Sequence, residues 1–221
     1  MRFGGIPAAA FDFYAGLRGD NSKAYWTAHR DVYESAVREP LTALLESAAQ
    51  EYGGEVSVFR PYRDVRFSSD KSPYKTHQGG FAELAPGVGY YLQVDADGLL
   101  VGGGFHARDA AHTARYRAAV GEPGPGEQLA AVVAALGESG FAIEGDQVAT
   151  RPRGVAADHP RLALIRRKWL TAFRRYPPSP RLASESAAAL VSSDWADLRP
   201  LVDWITANCP PGQSAPRIAS S

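Results

Sequence analysis

The sequence predicts an α+β fold: a single domain with a largely antiparallel central sheet flanked by N- and C-terminal helices. The domain is assigned to residues 1–209 and a disordered tail to residues 210–221. Three observations predict this. Apolar residues recur every three to four positions near both ends of the chain, the period falls to two through the middle, and Asp97-Gly98 joins two apolar runs as a hairpin turn does. Strands gathered in the middle with helices outside them make α+β the economical architecture. No repeat of fixed period and no long linker divides the chain.

In order, Phe11, Tyr14 and Leu17 give a short opening helix, stopped by Gly19-Asp20-Asn21. Asn21 or Ser22 offers a cap to a second helix, whose stripe runs through Trp26, His29, Tyr33, Val37, Leu41, Leu44 and Ala48. Pro40 lies inside that stripe and predicts a kink or a restart, because proline lacks the N–H and clashes with the turn before it. From Val56 the period is two, putting Phe59, Pro61, Arg63, Val65 and Phe67 on one side of a strand and Arg60, Tyr62, Asp64 and Arg66 on the other. Ser68 to Pro73 is a turn, and a strand returns over Tyr74 to Leu84.

The Tyr90 to Asp95 and Gly98 to Gly104 segments then form the hairpin. Helices are expected over Arg108 to Val120 and Glu127 to Leu136, separated by the breaker run Gly121 to Gly126. A short hairpin is expected over Phe141 to Thr150. Asp158-His159-Pro160 opens a helix that leads into a strand through Phe173. Two helices, Ser184 to Val191 and Asp197 to Ala207, close the fold with Trp195, Leu198, Leu201 and Trp204 inward.

Bulk composition narrows the function classes. With 24 basic and 24 acidic residues there is no global field to draw the chain onto nucleic acid or an acidic membrane. One cysteine, Cys209, excludes an internal disulfide and a cysteine zinc cage; near the chain end it reads as incidental. No segment reaches the apolar length of a membrane span and the N-terminus lacks a signal-peptide core, so a soluble, cytoplasmic protein is expected.

Chemistry concentrates in Arg60 to His77, where Arg60, Arg63, Arg66, Lys71 and Lys75 outnumber Asp64 and Asp70. Arginine forks and lysine point charges suit phosphate or carboxylate, and Tyr74, Thr76, Ser68 and Ser69 can donate to ligand oxygens. The competing account is an ion-pair network in which the acids neutralise the arginines and fix two strands and a turn. Arg63 falls on the apolar side of its strand, which calls for a bulge or for a carboxylate such as Glu83 or Asp95. Asp64 and Asp70 are candidates for an acid–base pair or for Mg²⁺ ligands, and His77 for a general base.

The window Arg63-Asp-Val-Arg-Phe-Ser-Ser-Asp-Lys-Ser-Pro-Tyr-Lys-Thr76 closely resembles the signature of a widespread bacterial family catalogued as domain of unknown function 2461. The resemblance extends to Asn21, Trp26, Tyr33, Tyr90-Tyr91, Gly102 to Gly104, Asp158-His159-Pro160, Lys168, Pro200-Leu201 and Trp204. It implies a fold and a motif, and no activity. The Gly121 to Gly126 break and the C-terminal tail depart from the pattern.

Elsewhere the signals are weaker. The histidines (29, 77, 106, 112 and 159) show no metal-binding spacing, so no metal site is expected. His29 reads as a hydrogen-bonded helix residue and His159 as a helix cap. Gly102 to Gly104 is neither a phosphate loop nor a dinucleotide fingerprint, so no cofactor is assigned and close packing is the preferred account. Arg161 to Arg175 mixes cations with Trp169, Phe173 and Tyr176 as single-strand surfaces do, but a solvated helix face accounts for it equally and nucleic acid is disfavoured. The expectation is a polar cleft floored by Arg60, Tyr62, Asp64 and Arg66 and completed by Asp70, Lys71, Tyr74, Lys75 and Thr76. It would bind a phosphorylated or carboxylated small molecule, with phosphoester or nucleotide chemistry; a non-enzymatic module with a structural ion-pair lock is the alternative.

Overall fold

Six strands form one antiparallel sheet in the order β1-β2-β3-β4-β6-β5, with helices before and after it, so the chain is a single α+β domain. The strands are β1 (Glu55–Val58), β2 (His77–Ala85), β3 (Val88–Asp95), β4 (Gly98–Phe105), β5 (Ala142–Glu144) and β6 (Leu170–Tyr176). This computed structural model describes residues 3–64, 66 and 69–210. The tail expected over residues 210–221 therefore lies, but for Pro210, outside the described residues. Among the described residues no helix is long and apolar enough to cross a membrane.

Helix α1 (Ala8–Gly19) buries Phe11, Phe13, Tyr14 and Leu17 on one stripe. Ser22 caps α2 (Lys23–Ala28), its hydroxyl accepting from the Tyr25 N–H at 3.1 Å. A one-turn α3 (Arg30–Val32) leads into a π-helical segment over Tyr33–Arg38, and α4 (Glu39–Tyr52) restarts with Pro40 in its first turn. Proline is tolerated there because its missing N–H is one the helix start leaves unbonded in any case. The widened turn just before it places Tyr33 beside the signature, as described below.

Four expectations are corrected. The strand drawn from Val56 through Phe67 ends at Val58, with one further bridge at Tyr62↔Tyr74. The Gly121 to Gly126 run does not separate helices widely: α5 (Ala110–Gly121) is followed at once by α6 (Pro123–Glu138), whose first turn takes Pro123 and Pro125 where proline fits. No hairpin fills Phe141 to Thr150; β5 pairs with β6, and Gln147 bridges Arg167. The two closing helices are one, α8 (Ser186–Asn208), which runs through Pro200. Its continuous stripe of Leu190, Val191, Leu198, Leu201 and Ile205, each at most 4% exposed, outweighs a proline penalty of roughly 3 kcal/mol.

Contacts gather into two compact units. In the first (residues 1–83, 90–102 and 174–196), Tyr90 stacks on Trp195 at 4.6 Å and Tyr52 meets Trp195 edge-on at 5.8 Å. The buried Asp194 carboxylate pairs with Arg174 and accepts from the Tyr176 hydroxyl at 2.9 Å. In the second (residues 84–89, 103–173 and 197–221), Tyr116 donates to the Leu164 carbonyl and Trp204 to that of Pro125. Gly104 explains the triple-glycine run: at φ +135° its Cβ would lie 2.3 Å from the Leu170 carbonyl oxygen, so the close strand approach requires glycine. Cys209 is fully buried at the end of α8, and burial pushes its thiol up to about 12, which corrects the expectation of an incidental residue at a frayed end.

Candidate functional site

The signature folds as a two-stranded ribbon beyond the end of β1. Arg63 N–H donates to the Pro73 carbonyl at 2.9 Å and Lys75 N–H to that of Pro61 at 2.8 Å, while Phe59 N–H still reaches Gly79 at 3.0 Å. Between the pairs Val58↔Gly80 and Tyr62↔Tyr74 the returning strand has two more residues than the outgoing one. This is the bulge that the position of Arg63 called for. The buried Gln78 fills the interrupted ladder: its amide donates to the carbonyls of Phe59 at 2.6 Å and Gly79 at 2.9 Å, and its carbonyl accepts from the Tyr33 hydroxyl at 2.6 Å.

A clamp and a ring ladder hold the ribbon on its helix side. Asn21 bonds both backbone groups of Tyr74, accepting at 3.1 Å and donating at 3.0 Å. The Tyr74 ring is buried and stacks on Trp26 at 4.3 Å and 6°, with Tyr62 next, 5.5 Å from Tyr74. Asn21→Ala removes both backbone partners at once and is expected to cost about 1–3 kcal/mol, read as a lower urea midpoint at unchanged slope.

Both signature acids engage an arginine. Asp64 takes Arg66 through two bonds, 2.9 Å to Nε and 2.7 Å to Nη2, and these hold its carboxyl below the usual range. Asp70 accepts the Ser72 N–H at 2.9 Å and pairs with Arg63; Ser72 first and Arg63 second bring its carboxyl down to about 2. The partner of Arg63 is thus Asp70, and not Glu83 or Asp95. Both pairs are exposed, with Arg66 76% and Asp70 51% accessible, so neither contributes much to stability. Arg60 and Lys75 meet no carboxylate among the described residues. The Lys75 ammonium sits 5.7 Å over the Phe59 ring, and burial, then Arg60, lower its pKa.

Alternation sorts the groups between two sides. Arg60, Tyr62, Asp64 and Arg66 stand exposed, so the row is an outer edge and not the floor of a cleft. Lys75 lies with Phe59 on the other side, over the sheet face of Tyr91, whose ring is 6.3 Å from Phe59 and covers Gly79. On this face Tyr91 donates to Gln93 at 2.8 Å, Gln93 to Asp95 at 2.7 Å and Arg175 to Asp95 at 2.8 Å. His77 opens the same strand face as Gly79. Burial first, then Lys75 and Arg63, push it below the usual imidazole range against an upward pull from Asp95.

A folded His77 that resists protonation makes stability fall as pH drops below about 6.5, where the unfolded chain takes up a proton that the folded one refuses. The buried His112, lowered by its own burial and then by Arg115, adds to the same slope. Thermal unfolding between pH 7.5 and 5.5 should show a falling Tm, and His77→Gln should flatten part of it. Asp70 acts in a separate window: its contribution is present above about pH 4 and is lost below it.

With the ribbon described, comparison with known proteins adds one assignment. The model of the family described as "Conserved hypothetical protein (DUF2461)" matches residues 9–204, spanning the ribbon, its clamp and the sheet. The chain belongs to this family. No curated protein matches it.

In this DUF2461 chain the structure brings Arg60, Tyr62, Arg63, Asp64, Arg66, Asp70, Tyr74, Lys75 and His77 onto one ribbon; Lys71 is exposed at its tip and Thr76 is half-buried. Val65, Phe67 and Ser68 lie outside the described residues. Among those described, no group of three His, Cys, Asp or Glu could hold a metal. A cavity of about 410 Å³ in the first unit is lined by Phe3, Glu46, Gln50 and Glu185, away from the signature. The arginines of the Arg161 to Arg175 stretch are engaged internally: Arg161 donates to the Val120 carbonyl, Arg166 to Val148 and Arg167 to Gly145, while Arg174 and Arg175 meet Asp194 and Asp95. They are therefore neither a solvated face nor a nucleic-acid surface. His159 does cap a turn, its Nδ1 accepting the Arg161 N–H at 3.1 Å, and His29 bonds the Tyr25 carbonyl at 2.8 Å.

Sequence reasoning missed the sheet-face chain of Tyr91, Gln93 and Arg175 and the bridging role of Gln78. The available signal was polar side chains at period two within an apolar strand, Gln78 on the inward side and Gln93 and Asp95 on the outward one.

Proposed function

We propose that this chain is a cytoplasmic protein that binds a phosphorylated or carboxylated small molecule on the signature ribbon, with Arg60 and Lys75 holding the anionic group. One observation carries this reading: Asp64 and Asp70 are engaged by Arg66 and Arg63, while the neighbouring Arg60 and Lys75 meet no carboxylate among the described residues. Two adjacent cations, one of them partly buried, repel each other until an anion joins them. An arginine fork and a lysine point charge are the donors that a phosphate or carboxylate recognises. His77, held neutral at neighbouring depth, is the group suited to move a proton if the ligand is turned over as a phosphoester.

A second reading is a structural lock, favoured by the two arginine–carboxylate pairs themselves. The two readings separate in a calorimetric titration with inorganic phosphate at low salt. Binding that weakens about tenfold or more in Lys75→Gln and in Arg60→Gln, and less than twofold in Arg66→Gln, is the expected result. Absence of phosphate and acetate binding by the wild type leaves the lock.

A further inference from the structure

We infer that the ligand of this ribbon is a nucleoside phosphate whose base stacks on Tyr62 while its phosphate is held by Arg60 and Lys75; the inference rests on the anion-binding reading above. The large hydrophobic side chains exposed among the described residues are Phe59, Tyr62 and Leu84, and the first two bracket Arg60 in sequence. Tyr62 is 50% exposed, yet it is not a loose surface ring. It is the outer member of a ladder whose inner rings, Tyr74 and Trp26, are 5% and 6% exposed and lie parallel, with the Tyr74 backbone gripped on both sides by Asn21. The ring therefore cannot fold inward to hide its apolar face, and a partner that stacks on it loses little freedom in doing so.

Alternation along Arg60, Pro61 and Tyr62 sets the guanidinium and this ring on one side of the ribbon, and Lys75 lies close enough to Arg60 for its charge to be felt. A planar π-face next to two cations without carboxylates fits a ligand that is aromatic at one end and anionic at the other. A sugar phosphate would leave the ring in water, and a free base would leave the cations unused. A nucleic-acid strand would need cations continuing past one phosphate, whereas the arginines of residues 161–175 are bonded to carbonyls and carboxylates.

The test is a titration of the full chain with inorganic phosphate, ribose 5-phosphate, adenosine 5′-monophosphate and a ten-nucleotide single strand, followed by calorimetry and tryptophan emission. The nucleotide should bind about 5- to 150-fold more tightly than ribose 5-phosphate, the advantage of one base–aromatic stack. Tyr62→Ala should erase that advantage and Tyr62→Phe keep it, with both variants binding inorganic phosphate as the wild type does. Equal binding of nucleotide and ribose 5-phosphate, with inorganic phosphate still bound, overturns the stack and leaves the anion reading intact. A strand that binds far more tightly than the mononucleotide overturns it in favour of a polymer. Failure of inorganic phosphate to bind sinks both.

Discussion

Trp26→Ala is expected to destabilise the protein by about 3–5 kcal/mol, the range for emptying a buried indole site. Trp26 is 6% exposed and meets Tyr74 at 4.3 Å, Tyr33 at 4.7 Å and Phe13 at 5.8 Å, so its loss leaves a cavity bounded by three rings that cannot collapse together. The same change removes the inner wall of the ribbon, so anion binding should weaken along with stability. Urea unfolding and near-ultraviolet dichroism measure the first effect, and a phosphate titration under native conditions the second. A loss below about 1 kcal/mol would mean that the ladder does not hold the ribbon.

The second large effect belongs to the buried charge on β6. Asp194 has a side chain only 2% exposed, pairs with Arg174 and accepts from the Tyr176 hydroxyl at 3.0 and 2.9 Å. Arg174→Met strands the carboxylate without its cation and should cost about 3–5 kcal/mol at pH 7. Burial then favours the protonated acid, so the deficit should shrink as pH falls, whereas a deficit from lost packing alone would not follow pH. Adding Asp194→Asn should recover part of the loss, since it removes the stranded charge. Equal unfolding midpoints for the single and double variants would contradict this account.

Much of the fold was legible because period is a physical signal. The Phe11 to Leu17 stripe and the 3.6-residue spacing of Trp26 to Ala48 became buried helix faces, and Asp97-Gly98 became the β3–β4 turn. The errors fall where local rules compete with burial. Pro200 argued for two helices, but an apolar stripe on both sides of it kept one; Pro123 and Pro125 read as breakers, yet they occupy the first turn where an N–H is not needed. The site was legible in content and not in geometry. Charge clustering located the ribbon, and the misfit of Arg63 anticipated a bulge. The two-residue register shift depends on Gln78 reaching Tyr33 and Phe59, a contact between segments that no spacing encodes. The clamp from Asn21 to Tyr74, 53 residues away, is of the same kind.

The central claim is that Arg60 and Lys75 serve a ligand and not the fold. The Arg60→Gln/Lys75→Gln double variant tests it most directly, with Tm measured with and without inorganic phosphate at low salt. Both side chains lack a carboxylate partner among the described residues, and Lys75 has only the Phe59 ring, so the ligand-free variant should unfold within about 1 kcal/mol of the wild type. Phosphate should raise the Tm of the wild type and leave that of the variant unchanged. A ligand-free variant that unfolds far below the wild type, in a protein whose wild-type Tm ignores phosphate, would contradict the claim and make the ribbon a structural lock.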